Sequence, residues 1–434
     1  MGSGLNVRGP EFDGRRSALI PGLVDHHIHL LATATRGASL SLAGCADEAA
    51  LIVALRHHAY PLGAGQWLRA MDYDEKTAGL PDRDDLDRWL PDRPARVADR
   101  TGALWILNSL AIAQLGDGPF PDCVERDSAG RPTGRIWRGD AWLRARIGSV
   151  APSLADLGRQ LARFGITAVT DAGAQNGPEE AALLAGARRT GELPQKLMLL
   201  GRADLPAGEH YARGALKLLI DERNLPDSSD LARRIIAAHG EGRAVACHCV
   251  TTGELLVYLD ALDRAGGGRP GDRIEHGGMI PQTLIADVVR HRLTVVTQPA
   301  FIHDRGDRYL EHVSADEQPD LYRAASLTAA GVELAAGSDA PYGAVNPWAA
   351  IGTAVQRRTR SGAVVGTQEA ISPRAALDLY LGSLEQPAAP RRLTIGSVAD
   401  LCLLDCPLDE ALANPDAAHV RATFINGRIV YCAD

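Results

Sequence analysis

Eight short runs rich in Val, Ile, Leu and Ala, each followed by a longer amphipathic stretch, constrain what this chain can fold into more than any other feature. They are ALIPGLVDHH (18–27), ITAVTDAG (166–173), KLMLLG (196–201), ALKLLID (215–221), AVACHCV (244–250), RIEHGG (273–278), LTVVTQP (293–299) and VELAAGSDA (332–340). Stretches such as SLADLGRQLARFG, DLARRIIAAHGEG and PQTLIADVVRHR lie between them and read as helices, several ending at the glycine that a helix stop favours. Near-continuous apolar strands alternating with helices build a parallel sheet covered on both faces. Eight such units predict an α/β fold, a (β/α)8 TIM barrel with its active site at the C-terminal ends of the strands. The rival, an open doubly wound sheet, would carry a Gly-rich dinucleotide fingerprint after a strand, and none of the eight is followed by one.

At 434 residues the chain can bury a large core, and two segments exceed the barrel's needs. Residues 60–150, between the first and second runs, are rich in Asp, Arg, Pro and Trp and far longer than a βα loop, so they predict an inserted lobe over the mouth. RRLTIGSVADLCLLD and RATFINGRIVY near the C-terminus predict strands, the second a hairpin through Asn426-Gly427. The expected division is therefore a 1–18 N-terminal segment, a barrel over 19–385 with its insert, and a 386–434 part of a small β-sandwich domain built from the chain termini. The first 18 residues read partly as appended sequence and partly as a remnant of that β domain.

Charge narrows the partners. The net charge is −8, with both signs interspersed and no basic block to track a phosphate backbone, which argues against nucleic acid. No apolar stretch approaches the ~18 residues that span a bilayer, and the opening lacks a signal core, so a cytoplasmic location without a membrane is expected. A small-molecule substrate is the expected partner, and a homodimer the assembly considered. Seven cysteines without CxxC spacing predict reduced thiols; on an extended strand Cys247 and Cys249 turn away from the face that carries His248.

Polar groups at the ends of apolar barrel strands carry the chemical information, because burying them costs free energy unless they bond or bind something. His27 and His29 stand two apart, so an extended chain projects both to one face, into the barrel, and turns His26 outward. Neutral, such a pair can share a divalent metal, although an isolated HxH also arises from packing. His248, His276 and Asp339 end later strands, and the set together reads as a ligand group. Lys217 would bury an ammonium within ALKLLID. Carbamylation by CO2 would make it an anionic bridge between two metals; the alternatives are snorkelling, or pairing with Asp171 or Asp221. Asp171 itself reads as orienting its neighbours.

PGLVDHHIH (21–29), a later strand-end lysine, ACHCV, RIEHGG and GSDAPYG together resemble the amidohydrolase superfamily of metal-dependent hydrolases. WLRAMDYDE (67–75), LPDRDDLDRWLPDRPARVADRTG (80–102), LNS (107–109) and DSAGRPTGRIWRGD (127–140) further resemble amidohydrolase family 3, the YtcJ-like branch that includes N-substituted formamide deformylases. The resemblance implies that His27 and His29 hold one metal and His248 and His276 the other, that carboxylated Lys217 bridges them, and that Asp339 is both ligand and general base. One or two divalent ions, zinc foremost, would then generate hydroxide that cleaves a C–N bond. Asp339, Lys217 and His248 would be the catalytic groups. Arg100, Trp67 and Tyr73 in the insert and His303 after the seventh strand are the candidates for substrate binding, His303 on a barrel-top loop. An ester or phosphotriester hydrolase on the same centre, or a catalytically inactive binding relative, are the competing expectations.

Overall fold

The computed structural model describes residues 13–14, 17–63, 65–101, 103–116, 118–147 and 152–433. Most of the expected 1–18 segment, and Gly102, lie outside the described residues. All eight apolar runs form strands: β1 (Leu23–Ile28), β2 (Ile166–Asp171), β3 (Lys196–Gly201), β4 (Ala212–Leu218), β5 (Val245–Cys249), β6 (Arg273–His276), β7 (Thr294–Thr297) and β8 (Glu333–Ala336). They pair in parallel in sequence order within one sheet, and β1, β2, β6 and β7 are buried along their whole lengths. Burial on both faces is why these runs are apolar without alternation. The last strand returns to the first just beyond its regular end, where Asp339 N donates to His27 O at 2.7 Å and His29 N donates to Ala340 O at 2.9 Å. These bonds close the barrel with the same residues that form the candidate site.

The first run divides in two. Leu19–Pro21 pairs antiparallel with Leu401–Leu404 in a separate sheet, and β1 begins only at Leu23. Gly22 is the crossing point, and its backbone lies so near β2 that a Cβ there would stand 2.2 Å from Thr167 Cγ2. The separate sheet has four antiparallel strands, in the order Leu19–Pro21, Leu401–Leu404, Val420–Ile425, Arg428–Cys432. Its hairpin turns at Asn426 (φ 50°) and Gly427 (φ 75°), both left-handed as a tight two-residue turn requires. A helix, Ala155–Arg163, packs against it, with Thr423 Oγ1 donating to Ala162 O at 2.7 Å. The layer opposite this sheet is thus helical.

Residues Leu31–Pro152 form a second compact unit. Its six-stranded mixed sheet runs Leu40–Ser41, Leu68–Tyr73, Ala95–Asp99, Leu104–Leu107, Pro132–Trp137, Val124–Arg126. Two apolar clusters of its own, one around Leu51, Leu55, Tyr73 and Ile106 and another around Trp105, Leu107 and Ile136, hold that sheet to its helices. Among the described residues no helix is long and apolar enough to cross a membrane.

Gly337 sits where β8 meets β1, and a Cβ added there would stand 2.4 Å from the His27 nitrogen and 2.6 Å from its Cβ. Backbone cannot yield as a flexible side chain can, so Gly337→Ala is expected to lose about 1–3 kcal/mol, the usual range for overpacking. Chemical denaturation checks this; an unchanged midpoint would show that the seam tolerates the methyl group.

Candidate metal centre

β1 delivers His27, fully buried, to the interior, and the residue after the strand delivers His29, whose side chain is 24% exposed. Asp339 comes from the turn after β8 with φ 52°, and its carboxylate lies between them: Oδ1 is 3.1 Å from His29 Nε2 and 3.4 Å from His27 Nε2. One donor atom from each of the three lies within 4.8 Å of the other two, the arrangement of a group able to hold a metal ion. His27 Nε2 and Asp339 Oδ1 are both buried without a good hydrogen-bond partner. Two nitrogens and a carboxylate oxygen are the donor set that zinc and similar divalent ions take.

A buried acid holds His27 in place. Glu275 Oε2 makes a very short contact with His27 Nδ1, and Arg273 pairs with the same carboxylate, Nε to Oε1 at 2.7 Å and Nη2 to Oε2 at 3.1 Å. With Nδ1 occupied, the His27 lone pair available to a metal is on Nε2. His276 is fixed in the same manner by Gln298 Oε1, 2.7 Å from its Nδ1. Strict strand alternation would put Glu275 and His276 on opposite faces. The left-handed backbone at His276 (φ 75°) breaks that alternation, and its ring reaches both His27 (centroids 4.8 Å apart) and His248 (4.5 Å). Two left-handed non-glycine residues at one site is where backbone strain concentrates in functional centres.

Glu275, Arg273 and Gln298 were not singled out from sequence. The signal was available for Glu275, since a carboxylate inside RIEHGG raises the same burial problem as Lys217 in ALKLLID. Asp25, inside PGLVDHHIH, is a further residue of this seam: its Oδ1 accepts from Ser338 N at 2.9 Å and His27 N at 3.1 Å, tying β1 to the Asp339 turn. Burial raises its carboxyl pKa to about 6 despite those bonds. Asp171 orients its neighbours, accepting from Leu30 N at 2.7 Å and Asn176 Nδ2 at 2.7 Å.

Lys217 is buried, and its Nζ has no hydrogen-bond partner. It pairs with neither alternative: Asp171 is engaged as above, and Asp221 is bound to Arg223. Burial pushes the Lys217 ammonium below its usual range, against the opposing pull of the Glu275 and Asp339 carboxylates. Burial together with the Lys217 and His27 charges lowers His248 to about 4, and His276 is lowered by burial and His27. Asp339 behaves oppositely. Burial alone would raise its carboxyl, but the adjoining His27 and His29 imidazoles hold it well below the carboxylate range. His27 differs: against burial, the Glu275 and Asp339 carboxylates raise it, so the neutral rings beside the Asp339 carboxylate are those of His248 and His276. His26, the outward residue, is also fully buried, and desolvation first, then the Arg273 and Arg391 charges, lower it to about 3.

His303 is exposed on a helix, Ala300–His312, and not on a loop, because the segment after β7 turns directly into that helix. Trp67, Tyr73 and Arg100 belong to the second unit. There Tyr73 is buried and donates to Gly79 O at 2.8 Å, Trp67 Nε1 donates to Gln114 Oε1 at 2.7 Å, and Arg100 lies 3.6 Å from Asp74. Cys247 and Cys249 are buried free thiols, and His248 between them is half-buried.

The chain is 24% identical to the YtcJ amidohydrolase of Bacillus subtilis (strain 168), over 96% of this chain and 89% of that protein. It is also 24% identical to the N-substituted formamide deformylase of Arthrobacter pascens, over 99% of this chain and 92% of that one. Among solved structures, an uncharacterized metal-dependent hydrolase from Pyrococcus horikoshii OT3 superposes with a TM-score of 0.72 at 19% identity, covering 96% of this chain and 89% of that one, which shows a shared fold. The model of the Amidohydrolase family matches residues 13–431, and with the strand-end His, His and Asp group inside that match, this chain belongs to the amidohydrolase family of hydrolases.

Proposed function

We propose that this hydrolase cleaves an amide-type C–N bond at a divalent metal centre, with Asp339 as general base and then general acid. The observation that carries the reading is the convergence of His27, His29 and Asp339 with buried donor atoms left unpartnered. The Arthrobacter pascens relative, an N-substituted formamide deformylase, supports the amide class. His27 and His29 would hold one ion, zinc foremost, and His248 and His276 a second. When bound, such an ion supplies Lewis acidity and brings the pKa of a water molecule near neutrality.

The side chains divide the remaining work. Asp339, kept ionised by His27 and His29, accepts the proton of the attacking water and passes it to the nitrogen of the leaving amine. In a centre that holds the first ion alone, neutral His248 would donate a hydrogen bond to the oxygen that gains charge as the carbonyl is attacked. Lys217, shifted toward its free amine, can add to CO2 with loss of a proton, and the resulting carbamate would supply an anionic oxygen donor to the centre. Glu275 and Arg273 take no part in proton transfer. They fix the His27 ring and its tautomer.

Three outcomes are expected. Purified protein should hold about one to two equivalents of zinc, manganese or iron by elemental analysis, and prolonged chelation should abolish turnover across a panel of amide, ester and phosphotriester substrates, with amides the best class. Full activity of a metal-free sample would exclude the centre, and a preference for phosphotriesters would exclude the amide reading. Asp339→Asn should lower kcat by about 10²–10⁴-fold, the range for a general acid–base group; turnover like that of the parent would remove Asp339 from proton transfer. Glu275→Gln should weaken metal retention in a chelator titration by about 10–100-fold. It should also destabilise the fold, since Arg273 is left buried beside a neutral group.

A further inference from the structure

We infer that Asp405, Cys406 and His419 form a second metal site, for a thiophilic divalent ion of the zinc type, on the four-stranded terminal sheet. Asp405 and Cys406 directly follow the strand Leu401–Leu404, and His419 directly precedes Val420–Ile425, its antiparallel partner. The backbone locks the two together, with Asp405 N donating to His419 O at 2.9 Å. Ala18 N donates to Cys406 O at 2.9 Å, so the segment leading to Leu19–Pro21 braces the same corner.

One nitrogen stands between two anion-forming groups. His419 Nδ1 is 3.0 Å from Asp405 Oδ1 and 3.4 Å from Cys406 Sγ, and one donor atom from each of the three residues lies within 4.8 Å of the others. Tetrahedral zinc, with bonds of about 2.3 Å to sulfur and about 2.0–2.1 Å to nitrogen or oxygen, sets neighbouring ligand atoms roughly 3.3–3.6 Å apart. An Nδ1–H can point well at only one of its two neighbours, whereas a cation among the three donors engages all of them. Cys406 is buried and the Asp405 side chain is 51% exposed, which leaves a face open to a water or a fourth ligand.

The ligand form of Cys406 is its thiolate. Binding therefore exchanges one proton for the ion: the S–H bond breaks, the proton goes to solvent, and a metal–thiolate bond forms. Such a site staples two strand ends across the terminal sheet. Its thiolate sets it apart from the strand-end centre, whose candidate donors are nitrogen and oxygen.

The test uses the full-length protein, stripped with chelator and reloaded with cobalt(II). Wild type should show thiolate-to-cobalt charge-transfer absorption in the near ultraviolet, and this absorption should persist in a His27→Ala/His29→Ala variant. Cys406→Ser should lose it, and both Cys406→Ser and His419→Gln should bind about one equivalent less metal per chain. Absence of the absorption in wild type, its survival in Cys406→Ser, or equal metal content in all proteins would overturn the assignment. Should either variant fail to fold, the wild-type protein still decides. Saturating zinc should slow alkylation of Cys406, followed by peptide mass spectrometry, at least about tenfold, and an unchanged rate refutes the site.

Discussion

The buried carboxylate of Glu275 is the interaction on which the centre rests. It is fully enclosed, with Arg273 on one side and His27 on the other, and burial alone would drive it toward its neutral acid. The Arg273 charge, with those of Lys217 and His27, overrides that tendency and keeps it anionic. An ionised acid with no access to water must have its charge matched by neighbours, and here the matching groups are an arginine whose Nη2 also donates to His26 O at 2.9 Å and the imidazole of His27, a candidate ligand. The geometry of His27 is thus fixed from beneath, before any ion arrives.

Closure of the barrel and assembly of the centre are one event. The bonds that join the last strand's turn to the first strand run through His27, His29, Asp339 and Ala340, and Asp25 ties the same two segments through Ser338. A distortion of that seam moves two candidate ligands on one side and a third on the other. Gly337 permits the approach, since any side chain there would meet the His27 backbone.

Much of this was legible in the residues. Apolar runs without alternation announced strands buried on both faces, and their number announced the barrel. The HxH spacing, Lys217, His248, His276 and Asp339 could be found because each puts a polar group where the period of the strand demands an apolar one. Other features were hidden. The break at Gly22 depends on how near β2 comes to that backbone, a tertiary fact that ALIPGLVDHH does not encode by pattern. Placing Glu275 and His276 on one site requires a left-handed residue at 276, and propensity disfavours that conformation for histidine. The role of Glu275 emerges only when its partner across the barrel is known. For Trp67, Tyr73 and Arg100, composition said only that they lie in an insert; their contacts within that unit needed coordinates.

The placement of the second unit has a kinetic consequence. It leaves the chain straight after Leu30, so β1 is synthesised long before either of its sheet neighbours. His27 and Glu275 stand 248 positions apart, and Asp25 and Ser338 313. Contacts of such sequence separation form late and slowly, because the entropy of a long loop is lost before any of them stabilises the chain. During that interval the HHIH segment lacks Glu275 and Asp339, the two acids that flank it in the folded barrel. The histidines of the first strand are therefore held in their folded geometry only once the chain has been made through Asp339.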